Sequence, residues 1–267
     1  MKLIKQSVEL IPQKELFKHI ERCARVCYKS EDKQSEHSRE FVNKLIANKH
    51  LAMLEHGTVY LSLPDCVKGN DIAENYYNDC YSKVFRIHYD NKICNIITTN
   101  FRVLYEHNWL DNLNYKCEPT SFHEKRYTFR IVTSIGIVRE LLRHRKFSFA
   151  NESTRYCNYS KNKFDNELTF IKPYWFKEDG SITDAMFTTN CIDCEDLYIT
   201  LIESKLSPQQ AREVLPLCTK SELVMTGFES DWKEFLDKRL YETTGKVHPD
   251  MKELAQMIET KLFDNKK

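Results

Sequence analysis

Apolar residues first recur at helical spacing over residues 13–28, where Leu16, Phe17, Ile20, Cys23, Ala24 and Cys27 share one face. Phe41, Val42, Leu45 and Ile46 repeat the pattern, so two amphipathic helices are predicted. After Gly57 the pattern switches to alternation over residues 58–63, rich in strand formers and closed by Pro64, which predicts a strand. Residues 65–120 read as an inserted segment, with a helix over 71–82 and strands over 83–88 and 92–98 around the turn-like pair Asp90-Asn91. Residues 127–133 predict a second strand. Ser134 then caps a helix that places Ile135, Val138, Leu141 and Leu142 on one face and ends near Arg145.

A loop-like stretch follows, and residues 194–206 regain helical periodicity. Ser207-Pro208-Gln209-Gln210 combines an N-cap, a proline at the first helical position and a capping-box glutamine, ahead of a helix carrying Arg212. Asp231-Trp232-Lys233-Glu234 reads as another capping-box start, leading to Arg239, and residues 251–262 turn Leu254, Met257, Ile258 and Leu262 inward. The chain shows no internal repeat. Its expected class is α/β (α+β): a central, mostly antiparallel sheet flanked by helices with an inserted strand-rich hairpin segment, in a single domain over residues 1–267.

Composition narrows the possible roles. With 40 Lys+Arg against 39 Asp+Glu, the net charge is +1, and no global field attracts a polyanion. No apolar run approaches the roughly 20 residues that cross a bilayer, and the first twelve residues lack a signal-peptide core. A cytoplasmic protein without a membrane partner is expected. The ten cysteines lie singly along the chain and read as reduced thiols. Only Cys191 and Cys194 have metal-ligand spacing, and without two further ligands nearby they read as plain loop or helix thiols, so no metal is expected. The Asn151 and Asn158 sequons are silent in such a compartment.

The chemistry is concentrated in residues 143–156, where Arg143, His144, Arg145, Lys146, Ser153, Thr154 and Arg155 are interleaved with Phe147, Phe149, Asn151 and Tyr156. Guanidinium forks bind phosphate and flat rings suit a base or an isoalloxazine, so a nucleotide or flavin site is one reading. The plainer reading is that the cations answer a helix C-terminus while the two phenylalanines alternate into a core.

Arg143-His144-Arg145, seven residues, then Ser153-Thr154-Arg155-Tyr156 resembles the signature of the flavin-dependent thymidylate synthases. His50 and Leu54-Glu55-His56 are similar to that family's N-terminal flavin-side element. Residues 211–216 resemble its helix bearing a phosphate-binding arginine, and Phe235 to Arg239 its Phe-x-x-x-Arg element, with His248 trailing.

The resemblance implies reductive methylation of dUMP to dTMP, with methylenetetrahydrofolate as carbon donor and FAD reduced by NADPH as hydride carrier. It also implies a homotetramer with shared active sites. Arg239 is the implied catalytic residue. Glu140, Arg143, Asn151, Glu152, Ser153, Thr154, Arg155, Arg212 and Arg239 are the implied dUMP contacts. His50, Ala52, Arg143, His144, Arg145, Asn151, Phe228, Ser230, Glu234 and His248 would lie along FAD. Phe228, Ser230 and Glu234 stand where many members carry Asn, Arg and Asn. Glu140 replaces a common glutamine, and Ala52 a small hydroxyl residue.

Cys157 follows the motif, yet nothing adjacent supplies the base a nucleophilic thiol needs, and the resembled family is not expected to use one. His19, His37, His88, His107 and His123 read as surface or core-edge residues, and Trp109, Trp175 and Trp232 as packing residues. Asp193, Glu195 and Asp196 read as an acidic set at a helix N-terminus. Two rivals remain: a single-strand nucleic-acid-binding module, against which the balanced charge weighs, and a catalytically silent relative.

Overall fold

The computed structural model describes residues 1–34, 36–64, 66–89 and 92–264. Two short strands, β1 (Lys2–Ile4) and β2 (Ser7–Leu10), precede helices α1 (Leu16–Arg25) and α2 (Ser38–Ala47). Strand β3 (Thr58–Pro64), helix α3 (Val67–Tyr77), strands β4 (Lys83–Tyr89) and β5 (Lys92–Asn100) and helix α4 (Phe101–Glu106) follow. Then come β6 (Arg126–Ser134), α5 (Ile135–Leu141), β7 (Ser148–Asn151), β8 (Thr169–Ile171) and α6 (Ile182–Glu203). The chain ends with α7 (Pro208–Ala211), β9 (Lys220–Phe228), α8 (Glu229–Arg239) and α9 (Pro249–Asp264). No described helix is long and apolar enough to cross a membrane.

The central sheet is antiparallel throughout, in the order β2-β6-β9-β7, and β6 pairs with β9 along its whole length from Arg126↔Phe228 to Ser134↔Lys220. Phe129, Ile131, Leu223 and Met225 project from this ladder into a core closed by Leu141, Trp232, Phe235, Leu254 and Ile258. The fold is therefore the expected mixed class, a mostly antiparallel arrangement flanked by helices; among the described residues the one parallel pair is β1 with β8.

The sequence pattern did not reveal β9, although it is central. Residues 221–228 are all buried, so both faces are covered and the period of two disappears. Its polar residues are met in the interior. Lys220 bonds to Glu152 at 2.6 Å and to Glu222 at 2.9 Å, and Glu222 also takes Arg130 at 2.6 Å and Lys29. Burial alone would push the Glu222 carboxyl up, but Lys220 and Lys29 pull it down to about 2.

Helix α6 corrects the expectation of a loop before residue 194. It starts at Ile182, where the Ser181 hydroxyl accepts the Asp184 N–H. Threonines and mixed polarity around the helix blur its stripe. Asp193, Glu195 and Asp196 consequently sit mid-helix, and Glu195 accepts the Leu168 N–H and the N-terminal ammonium. The capping box expected at Asp231 is also displaced: Phe228 is the N-cap, and Asp231, at the third helical position, accepts its N–H. The Ser207 box is present but opens only one α-turn, followed by a 3-10 turn over Arg212–Val214.

The inserted segment does not stand apart. β5 lies between β4 and β3, pairing with β3 from Thr58↔Asn100 to Pro64↔Cys94. The expected helix over 71–82 begins earlier, at Val67, where the Cys66 thiol accepts the Gly69 N–H. The Asp90-Asn91 turn lies outside the described residues.

A buried polar chain crosses the central sheet: His19 Nε2 meets Thr128 Oγ1 at 3.1 Å, Thr128 meets Thr226 at 2.9 Å, and Thr226 meets His56 Nδ1 at 2.8 Å. Burial, reinforced by nearby cationic groups, holds His19 at about 4 and His56 at about 3, so both rings are neutral at pH 7. His19 and His123 lie in the interior, deeper than the core-edge expectation.

Candidate functional site

Strand β6 delivers the chain to Ser134, whose hydroxyl accepts the Ile137 N–H and starts α5. That helix stops at Leu141, four residues short of the expected end, and a series of tight turns presents the first half of the motif. His144 N donates to Leu141 O at 3.0 Å, Arg145 N to Arg143 O at 3.1 Å, and Phe147 N to His144 O at 3.1 Å. Opposite lies α8, whose residues Asp231, Glu234, Phe235, Lys238 and Arg239 recur at one-turn spacing and share a face. Between them is a cavity of about 360 Å³. Phe147 forms part of its wall, packed edge-on against Trp232 with ring centroids 4.6 Å apart.

Arg239 Nε donates to His144 Nε2 at 2.9 Å. The ring must therefore accept through Nε2, which places the proton of the neutral imidazole on Nδ1. Burial first, and then the Arg239 charge, hold His144 at about 4. An uncharged ring beside a permanent guanidinium fixes the direction of Arg239 without neutralising it. Lys146 and Lys238 both bond to Glu234 and hold its carboxyl at about 2. Glu234 is thus one half of an ion cluster on the rim.

The second half of the motif opens elsewhere. Asn151 ends β7, with its Oδ1 accepting the Ser221 hydroxyl at 3.0 Å. Ser153 N donates to Cys27 O at 3.0 Å, and Tyr156 packs on Tyr28 with centroids 5.2 Å apart. Cys27 and Tyr28 line another cavity, of about 530 Å³, whose wall also contains His50 and Ala52. Arg155 is exposed, and its Nε donates to Gln209 in α7 at 3.0 Å, on the element that leads into Arg212.

Within one chain, then, Arg143, His144, Arg145, Glu234 and Arg239 come together, while Ser153 lies beside the cavity that holds His50 and Ala52; neither cavity is lined by both groups. Glu140 is half-buried on the last turn of α5, and Thr154 is half-buried beside Arg155. Glu152 is buried, its carboxylate taken by Lys220 and by the Tyr159 hydroxyl at 2.9 Å. Phe228 is buried, Ser230 is exposed, and His248 stands exposed, edge-on to Tyr174. The sequence reading missed Lys238, Asp231 and Phe235 as lining residues, although their spacing from Arg239 on one helix carried the signal.

Other reactive groups are quiet. Cys157 is fully buried. Cys117 approaches His123 Nε2 at 3.7 Å, but that nitrogen also faces Leu61 O at 3.2 Å while Nδ1 accepts the Thr120 N–H, so the ring offers the thiol no base. Cys191 and Cys194 lie on α6 as helix thiols. Among the described residues no group of three or more His, Cys, Asp or Glu is arranged to hold a metal.

An antiparallel core carrying a cation-rich cavity between a motif turn and a facing helix defines a mixed α/β protein. Residues 70–264 match the family described as thymidylate synthase complementing protein, and the chain belongs to that family. A probable flavin-dependent thymidylate synthase of Paramecium bursaria Chlorella virus 1 is 25% identical over 152 residues, 51% of this chain and 67% of that protein. A flavin-dependent thymidylate synthase of Corynebacterium aurimucosum is 30% identical over 130 residues, 43% of this chain and 49% of that protein. The match to this bacterial relative spans about half of its length. Among solved structures, a UMP/dUMP methylase from Streptomyces cacaoi bound with 5-Br dUMP aligns over 99% of this chain and 93% of its own, at 18% identity and a TM-score of 0.48.

Proposed function

We propose that the protein is a flavin-dependent thymidylate synthase, converting dUMP to dTMP with methylenetetrahydrofolate as carbon donor. The observation that carries this reading is the bond from Arg239 Nε to the neutral His144 ring inside the cavity formed by the motif. It leaves the two Nη groups of Arg239 pointing from a fixed base. A preoriented guanidinium stabilises negative charge that develops on a substrate ring more than it stabilises the neutral ground state. Arg239 is therefore assigned to the uracil N3 and O2 side.

Arg143, Arg155 and Arg212, with the hydroxyls of Ser153 and Thr154, are assigned to the nucleotide, whose phosphate suits forked donors. Asn151 and Glu140 are assigned to the same ligand, while the Glu152 carboxylate between Asn151 and Ser153 is taken by Lys220. The residues suit a flavin dinucleotide as well: His144 and Phe235, packed edge-to-face with centroids 4.9 Å apart, give the cavity an aromatic side, and Arg145 answers phosphate charge. His50, Ala52, Ser230, Glu234 and His248 are assigned to the cofactor's periphery, with Phe228 beneath it. Bound FAD, reduced by NADPH, supplies the hydride.

The motif halves face different cavities, and this favours active sites completed by a second chain in a homotetramer. A cytoplasmic location accords with ten free thiols. The test is anaerobic turnover of dUMP with FAD, NADPH and methylenetetrahydrofolate by the purified protein. A flavin absorption spectrum and dTMP formation are expected; a colourless protein that cannot be loaded with FAD would remove the assignment.

A further inference from the structure

A smaller cavity, of about 270 Å³, lies where the inserted segment meets the motif turn. Tyr81 and Lys83 come from the inserted segment, Arg126 opens β6, Arg145 belongs to the motif, and Phe228 and Asp231 flank the start of α8. It adjoins the larger cavity, since Arg145, Lys146 and Asp231 line both.

Its charge is unbalanced. Lys83 Nζ and Arg126 Cζ lie 5.5 and 5.4 Å from the centre of the Phe228 ring, so the buried ring forms a floor with cations around it. Arg126 spends its Nη groups on neutral acceptors only: Glu55 O at 3.0 Å, Thr58 Oγ1 at 3.3 Å and Ser148 Oγ at 3.4 Å. Its Nε is buried with no partner among the described residues. The neighbouring carboxylates are engaged elsewhere: Glu55 pairs with Arg102, and Glu234 with Lys146 and Lys238. Among the described residues no ion pair involves Lys83, Arg126 or Arg145, which leaves Asp231 as the sole carboxylate in the wall.

Arg126 carries a buried, unpartnered Nε, a costly arrangement for a charged group, and with half-buried Lys83 and exposed Arg145 beside it the cavity suits a multivalent anion. A diphosphate has the charge and the several acceptor oxygens to engage two guanidiniums and an ammonium. We propose that this cavity is a diphosphate subsite in which Lys83, Arg126 and Arg145 bind the diphosphate of a dinucleotide cofactor. The inference rests on the flavoenzyme reading above and gives the inserted segment a task.

The diphosphate belongs either to the flavin dinucleotide or to the nicotinamide dinucleotide, and separate titrations distinguish them. Flavin-free protein is titrated with inorganic pyrophosphate, FAD, NADPH and dUMP by calorimetry, in wild type, Lys83→Gln and Asp231→Asn. Lys83 is half-buried at the start of β4 and bears no ion pair among the described residues, and Asp231→Asn keeps an acceptor for the Phe228 N–H, so both variants are expected to retain the fold by circular dichroism. Loss of one charge-assisted contact weakens pyrophosphate binding about tenfold in Lys83→Gln, and Asp231→Asn strengthens it. A matching loss for FAD assigns the flavin; a loss for NADPH with FAD unchanged assigns the nicotinamide dinucleotide. dUMP affinity stays at its wild-type value. Unchanged pyrophosphate, FAD and NADPH binding in Lys83→Gln overturns the subsite while leaving the synthase assignment intact, whereas wild-type protein that binds neither FAD nor dUMP overturns the assignment itself.

Discussion

At the scale of single residues, the proposed chemistry turns on the direction of one guanidinium. Arg239→Ala is expected to bind FAD and fold normally, yet lose dTMP formation by about 100-fold or more, the range for removing one preoriented charge donor. Arg239→Lys keeps the charge but loses the Nε bond to His144, so it too falls well below wild type in kcat. Full turnover by either variant would remove the role given to Arg239. Cys157→Ala should retain dTMP formation, because the thiol is fully buried, at a stability cost of about 1 kcal/mol; lost turnover in a folded, FAD-loaded variant would contradict this. That Arg143, His144 and Arg145 fall together was legible in the sequence because they are contiguous, and the structure brings Arg239 to the same cavity. The His144 tautomer was not, since it depends on a helix nearly a hundred residues away. Nor was the partner of Glu152, because Lys220 sits on a strand that no periodicity announced.

At the scale of elements, the helices with one solvent face were readable and the fully covered strand was not. That strand, β9, depends on Gly227, where an added Cβ would fall 2.4 Å from Phe147 Cδ1. Gly227→Ala should therefore cost about 1–3 kcal/mol by forcing Phe147 to shift, and flavin binding should weaken with it, because Phe147 lines the cavity. Denaturant midpoints and a flavin titration check both effects together. The histidines on either side of the β6–β9 ladder set a pH dependence. Below the ordinary histidine pKa of about 6.5, the unfolded chain takes up protons that His56 and His19 refuse until about 3 and 4. Stability is thus expected to fall as pH drops through that window. Urea midpoints that stay constant between pH of about 7 and about 4.5 would contradict the burial of neutral rings.

At the scale of the whole molecule, the two halves of the motif serve different cavities, a separation the linear sequence conceals because residues 143–155 are contiguous. If sites are completed between chains, two inactive variants should complement one another. A mixture of Arg239→Ala with Arg155→Ala chains, refolded together, is expected to recover on the order of a quarter of the wild-type activity, as random assembly of shared sites dictates. No recovery, in a sample of wild-type assembly size by light scattering, would place each site within one chain. The three-stranded sheet formed by β3, β5 and β4 has a further consequence for how the gene tolerates change. Lys83 stands at the base of its hairpin, paired opposite Thr98, and six residues of strand, about 20 Å, separate it from Tyr89. Lengthening or tagging the distal end in a library should leave the cation in place, whereas deleting one residue near the base would turn it to the opposite face of the sheet.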